Sequence, residues 1–107
     1  MTKRKRLPAT REGATHKIKC GAVTMYVTLN VDKDGAPVEM FIKSDEGWQG
    51  WCDTLAVTAS LAMQHGCPLE TILRHWRGQR FAPDGIAGQG SSLPDSIARR
   101  LMGDAAP

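Results

Sequence analysis

Three thiols, three imidazoles and three indoles are the groups in this 107-residue chain that could do chemistry. The cysteines are Cys20, Cys52 and Cys67, an odd and widely spaced set with no Cys-x-x-Cys pair. That pattern points to reduced thiols, not to a disulfide framework. A structural zinc site needs four ligands. Cys20 and Cys52 could meet between a strand and a helix, but nothing in the spacing of His16, His65 and His75 brings an imidazole to them. Ordinary buried cysteines are therefore expected, with no metal and no cofactor. No Gly-x-Ser-x-Gly, His-Glu-x-x-His or Walker sequence is present, so no catalytic residues are assigned.

Binding chemistry is better represented. Trp48 and Trp51 flank Gln49-Gly50 in a polar neighbourhood, whereas Trp76 falls on a helical apolar stripe and is expected to pack. Arg74, Arg77, Arg80 and Phe81 crowd the end of one helix and the turn beyond it, and Arg99 and Arg100 form a second cluster. Aromatic rings stack on nucleobases and guanidinium groups take phosphates bidentately. Trp48, Trp51, Arg74, Arg77, Arg80, Phe81, Arg99 and Arg100 are thus the candidate site for an anionic nucleotide. The competing account needs no ligand: arginines at a helix C-terminus complement its dipole, and tryptophans fill gaps.

The net charge is +3. Lys3, Arg4, Lys5, Arg6 and Arg11 occupy the first eleven residues with no acid among them, so the body is not basic overall. That argues against a folded face built to grip duplex DNA. Residues 1–12 read as a disordered basic arm, with single-stranded nucleic acid as an alternative partner for it. No apolar segment follows the arm, so it is not a secretory signal, and no run is long enough to span a bilayer. A cytoplasmic location with no membrane partner is expected.

The elements that must position these groups follow from periodicity. Thr15 to Cys20 reads as a short strand. Val23, Met25, Val27, Leu29 and Val31 alternate with Thr24, Tyr26, Thr28 and Asn30, a strand with one apolar and one polar face. Asp32-Lys33-Asp34-Gly35 is a turn, and Pro37 to Lys43 returns as a third strand. Ser44 to Gln49 reads as a polar loop. A helix follows from about Gly50 to His65, with Leu55, Thr58, Ala59, Ala62 and Met63 on its buried side and Val57 and Leu61 widening it. Gly66 ends it. Pro68 opens a second helix with Leu69, Ile72, Leu73 and Trp76 as its stripe, and Gly78 stops it. Residues 82–90 form a Gly/Pro-rich loop. Ser92 caps a last short helix, with Asp95 as the reciprocal acid and Ile97 and Leu101 as a narrow stripe. The fold class is α+β, an antiparallel meander of three or more strands packed against two main helices, with a short C-terminal helix. It occupies residues 13–104, with 105–107 frayed. Open sheet edges favour pairing with a second copy, so a homo-oligomer, a dimer or higher, is expected.

Several stretches carry a family resemblance. They are Arg4-Lys5-Arg6-Leu7-Pro8-Ala9-Thr10-Arg11, Thr15-His16-Lys17, Asp34-Gly35-Ala36-Pro37, Glu39-Met40-Phe41-Ile42, Ser60 to Glu70 and Arg80-Phe81-Ala82-Pro83-Asp84-Gly85. Together they resemble the C-terminal TSCPD accessory domain of vitamin B12-dependent ribonucleotide reductases. The resemblance implies a relation to a radical enzyme whose catalytic barrel needs several hundred residues. It also implies what is missing, because some family members carry cysteines where this chain has Phe81 and Leu93.

Reductase activity by this chain alone is therefore not expected. The leading expectation is a stand-alone, non-catalytic domain that binds a nucleotide or a protein partner. The alternatives are an accessory subunit acting in trans on a B12-dependent reductase catalytic subunit, a phage-type sponge for a cyclic nucleotide second messenger, and nucleic-acid binding through the arm.

Overall fold

The computed structural model describes residue 4, residues 7–81 and residues 92–103. Three strands, β1 (Gly13–Cys20), β2 (Val23–Val31) and β3 (Pro37–Ser44), form an antiparallel sheet in chain order. Helices α1 (Glu46–Gln64), α2 (Leu69–Trp76) and α3 (Leu93–Leu101) follow. The α+β meander expected from the alternation is the observed architecture.

Register assigns each side chain its face. Ile18 lies opposite Met25 and Cys20 opposite Val23, while Val27 faces Ile42 and Leu29 faces Met40. This is the core face, and nearly all of it is buried against the helices. The other phase of the same strands carries Thr15, Lys17, Lys19, Thr24, Tyr26, Thr28, Phe41 and Lys43, and forms the outer face. Asp32 builds the β2–β3 turn: its Oδ1 accepts the Asp34 N–H at 2.8 Å and the Ala36 N–H at 3.0 Å. Gly13 permits a close approach at the same end of the sheet, where a Cβ would collide with the Asn30 side chain and the Leu29 carbonyl.

Helix α1 starts one turn earlier than the expected loop over 44–49 allowed. Gly47 and Gly50 weaken a helix by about 1 kcal/mol each, which is why the pattern suggested a loop. Tertiary contacts overrule that preference. Trp48 packs against the core, and Gln49 hydrogen-bonds to β3. The buried side of α1 also differs from the expected stripe. Cys52, Ala56, Ala59, Met63 and Gln64 are buried, whereas Val57, Thr58 and Leu61 are exposed.

The cause is the edge of β3. A strand with no neighbour presents unpaired N–H and C=O groups. Along this edge α1 supplies the partners from Gln49, Ser60 and Gln64. Ser60 Oγ accepts the Met40 N–H at 2.8 Å and donates to the Met40 carbonyl at 3.1 Å. Gln49 Oε1 accepts the Ser44 N–H at 2.7 Å, and its Nε2 donates to the Ile42 carbonyl at 2.8 Å. Gln64 Nε2 donates to the Val38 carbonyl at 3.1 Å. The lengths agree: fifteen residues of helix rise about 22 Å, and six residues of strand about 20 Å. Ala56 lies on the same stripe and lets the helix sit close. Self-pairing through the sheet is thereby left to the β1 edge, which has no strand beyond it among the described residues.

The remaining core is filled by α2 and α3. Leu69, Ile72, Leu73 and Trp76 form the expected stripe of α2. Gly66, at φ +101°, turns the chain between α1 and α2 as expected. Helix α3 is more buried than its narrow stripe implied, with Leu93 through Ala98 all enclosed. Ser92 caps it, accepting the Asp95 N–H at 3.1 Å. The fully buried Asp95 carboxylate accepts the Gly78 N–H at 2.7 Å and Arg99 Nε at 3.0 Å, tying α3 to the end of α2. The loop over 82–90, Asp104 and the tail 105–107 lie outside the described residues.

Ser60→Ala removes both partners of Met40 and leaves two backbone groups unpaired. It is expected to lower the unfolding free energy by about 1–3 kcal/mol. Thr58→Ala, exposed on the same helix, is expected to change it by less than about 0.5 kcal/mol. Urea unfolding that gave equal losses for the two variants would contradict the sealed edge.

Candidate functional site

The expected ligand residues divide. Trp48 turns inward and packs on the core. Trp51, one turn later, is 41% exposed and stacks on Phe81, which is 38% exposed, with ring centroids 5.8 Å apart. Arg80 is exposed beside Phe81. Arg74 and Arg77 are exposed at the end of α2, and Arg100 on the last turn of α3. Arg99 is engaged by Asp95. A cleft of about 320 Å³ opens beside Trp51 against Thr54, Leu55 and Thr58, with no cation among its described wall residues. The structure thus brings Trp51 and Phe81 together, while the arginines stay outside the walls of that cleft.

Two arginines of the basic arm contact the body. Arg11 makes a bidentate pair with Glu39, at 2.8 and 3.2 Å, and donates to the Pro8 carbonyl. Asn30 Nδ2 shares the Glu39 carboxylate at 2.8 Å. Arg4 Nε donates to Gln64 Oε1. Lys3, Lys5 and Arg6 lie outside the described residues.

A larger site lies on the outer face of the sheet, where sequence reasoning placed none. Because α1 sits beside the β3 edge, its outward flank rises next to that face. Tyr26 (44% exposed) and Phe41 (54%) from the sheet converge with Val57 (58%) and Leu61 (41%) from the helix. They line a groove of about 1090 Å³ whose walls also carry Arg4, Glu39, Lys43 and Asp53. A second hollow of about 540 Å³ adjoins it, lined by Lys17, Lys19, Thr24, Tyr26, Lys43, Ser44 and Asp45. Tyr26 and Lys43 belong to both. The available signal was Tyr26 standing in the polar phase of its strand, where a large ring has no core to enter.

Electrostatically the two regions differ. The groove carboxylates are occupied: Glu39 by Arg11 and Asn30, and Asp53 by Gln49 Nε2 at 2.7 Å. Lys17, Lys19 and Lys43 form no ion pair with any described residue. The hollow is therefore cationic, with Asp45 as the single acid among its described wall residues.

The thiols offer little reactivity. Cys20 and Cys52 are fully buried in one core cluster, Cys67 is half-buried, and all three are free. Burial pushes the Cys52 thiol up, against a lowering hydrogen bond to Ser44. Among the described residues no three His, Cys, Asp or Glu side chains converge as metal ligands. No helix of the described residues is long and apolar enough to cross a membrane.

Comparison with known proteins adds the lineage. The family described as the TSCPD domain matches residues 2–104. The vitamin B12-dependent ribonucleotide reductase of Rhodopirellula baltica is 36% identical over 92% of this chain and 10% of its own length. That of Streptomyces clavuligerus is 35% identical over 97% of this chain and 12% of its own. That of Bradyrhizobium diazoefficiens is 30% identical over 94% and 9%. The chain spans about a tenth of the length of these relatives. No solved structure matches.

The Cys52 shift has a sign that can be measured. A raised folded value means the native state holds the proton more tightly than the unfolded chain. That stabilisation is whole below the ordinary thiol value of 9.0 and is lost as pH rises from there through the folded value. Urea stability measured from about pH 8 to 11 is expected to fall more steeply in the parent than in Cys52→Ala. Identical alkaline limbs would show that burial does not perturb this thiol.

Proposed function

The chain belongs to the TSCPD domain family, and we propose that it acts as a non-catalytic binding domain whose working surface is the outer face of the sheet. One observation carries this reading: four large apolar side chains from three different elements, all well exposed, converge on a single groove. Scattered exposed apolar residues are ordinary, but a contiguous patch rimmed by charge marks an interaction surface. No thiol or imidazole is among the described residues that line the groove. Cys20 and Cys52 lie in the core, and the groove carboxylates are bound by Arg11, Asn30 and Gln49. A nucleotide or a protein partner is the occupant such a surface suits.

A second reading is favoured by the shares of length. Relatives that span the whole chain devote only about a tenth of their own length to it. A domain of this kind could serve in trans, docking on the catalytic body of a B12-dependent reductase. The same groove would then be the contact.

Calorimetric titration tests both. The chain is titrated with mono-, di- and cyclic nucleotides, and separately with a B12-dependent reductase body lacking its own TSCPD domain. One of the two is expected to saturate at micromolar concentration. Val57→Ser combined with Leu61→Ser is expected to weaken that binding about ten-fold or more, because each buried aliphatic contributes about 1.5–3 kcal/mol. The urea midpoint of the double variant is expected to stay near the parent's. Silence toward every ligand and toward the reductase body would overturn the reading.

A further inference from the structure

We propose that the outer face of the sheet takes a nucleotide unit, with its phosphate over Lys17, Lys19 and Lys43 and its base on Tyr26 and Phe41. The inference rests on the reading of this face as the working surface and adds the chemistry of the ligand.

The strand register creates the arrangement. Lys17 lies opposite Tyr26, and Tyr26 opposite Lys43, so the three form one row across the sheet. Neighbouring strands are about 4.8 Å apart, which sets the two lysine backbones about 10 Å apart with the phenol between them. Lys19 stands on the same face about 7 Å further along β1. Three like charges this close disfavour one another unless an anion lies among them. No described residue supplies it as an ion pair, and Asp45 is the one carboxylate among the described residues that line the hollow. An ammonium group is a compact point charge that suits phosphate.

The base platform adjoins this cup. Phe41 is two residues before Lys43 on the same face of β3 and diagonal to Tyr26 across the β2–β3 pair. Diagonal neighbours on a sheet are about 7–8 Å apart, within reach for aromatic side chains. Both rings are about half exposed. Aromatic residues on adjacent strands of an open sheet stack unpaired bases. A protein partner fits this row less well, because the centre of a protein interface is depleted of charge. Lysines sit on both sides of the central tyrosine here.

The test uses the full chain and two classes of probe. A fluorescein-labelled oligodeoxythymidine of about ten nucleotides is followed by anisotropy at about 50 and 200 mM salt. Unlabelled ATP, dATP and cyclic AMP compete with it, and their own binding is read by tryptophan fluorescence. At least one probe is expected to bind at micromolar concentration. Lys17→Gln with Lys43→Gln is expected to weaken it about ten-fold or more. The same pair is expected to flatten the salt slope for the strand by about 1.4, since each neutralised phosphate accounts for about 0.7. Phe41→Ala is expected to cost about ten-fold because the base loses its stacking surface, while Tyr26→Phe keeps binding. Asp45→Asn is expected to tighten it. All of these positions are on the surface of the sheet or its rim, and unchanged urea midpoints confirm the fold of each variant.

If the strand alone binds, the source is single-stranded nucleic acid. If a free nucleotide binds as tightly as one unit of the strand, the source is the free nucleotide. Absence of binding by every probe at about 1 mM overturns the inference, since that concentration corresponds to only about 4 kcal/mol of binding. So does binding whose affinity and salt slope ignore the lysine substitutions, which would move the anion to the basic arm. Nucleotide silence together with docking to a reductase body that Val57→Ser and Leu61→Ser weaken overturns this inference and leaves the proposed function standing.

Discussion

The outward backbone groups of β3 decide where everything else goes. Left open, they are a template for another chain. Here three side chains of α1 take five of them: the carbonyls of Val38, Met40 and Ile42 and the N–H groups of Met40 and Ser44. A helix bonded along an edge cannot also lie over the middle of the sheet. The buried face toward β1 is left for α2 and α3, which meet through the buried Asp95. The flank of α1 that carries Val57 and Leu61 is turned out beside the uncovered face. The fold and the groove thus share one cause.

Much of this was legible in the sequence, for identifiable reasons. The alternation over Val23–Val31 states its own face assignment, and the Asp32–Gly35 turn and the Gly66 corner follow from residue type. The family resemblance was legible because its motifs run almost without gaps through the domain. The start of α1 was not, because Gly47 and Gly50 argue for a loop and the contacts that outweigh them are non-local. The stripe of Gln49, Ser60 and Gln64 was present at helical spacing, yet polar residues on a helix read as solvated until the strand beside them is known. Arg99 illustrates the opposite error: an arginine that looked free for a ligand is the partner of a buried acid. Phe41 was hidden by its neighbours, since Met40-Phe41-Ile42 reads as a continuous apolar run and the middle member is the one that faces out.

Charge follows the same division between local and long-range information. The arm reads in the sequence as a disordered basic tail, with single-stranded nucleic acid as an alternative partner. Its two described arginines are instead turned onto the body, Arg11 on Glu39 and Arg4 on Gln64. The lysines of the outer face, spread over β1 and β3 in sequence, become a cluster only once the register is known. The domain presents two chemically distinct halves of one surface: an apolar groove against α1 and a cationic hollow against β1.

Amide hydrogen exchange read residue by residue tests the edge on which this account stands. The Met40 and Ser44 N–H groups point away from β2 and are protected only if Ser60 and Gln49 hold them. They are expected to exchange as slowly as the β3 amides inside the ladder, with rates independent of protein concentration. Fast exchange at both positions, or protection that appears only at high concentration, would place α1 elsewhere and dissolve the groove.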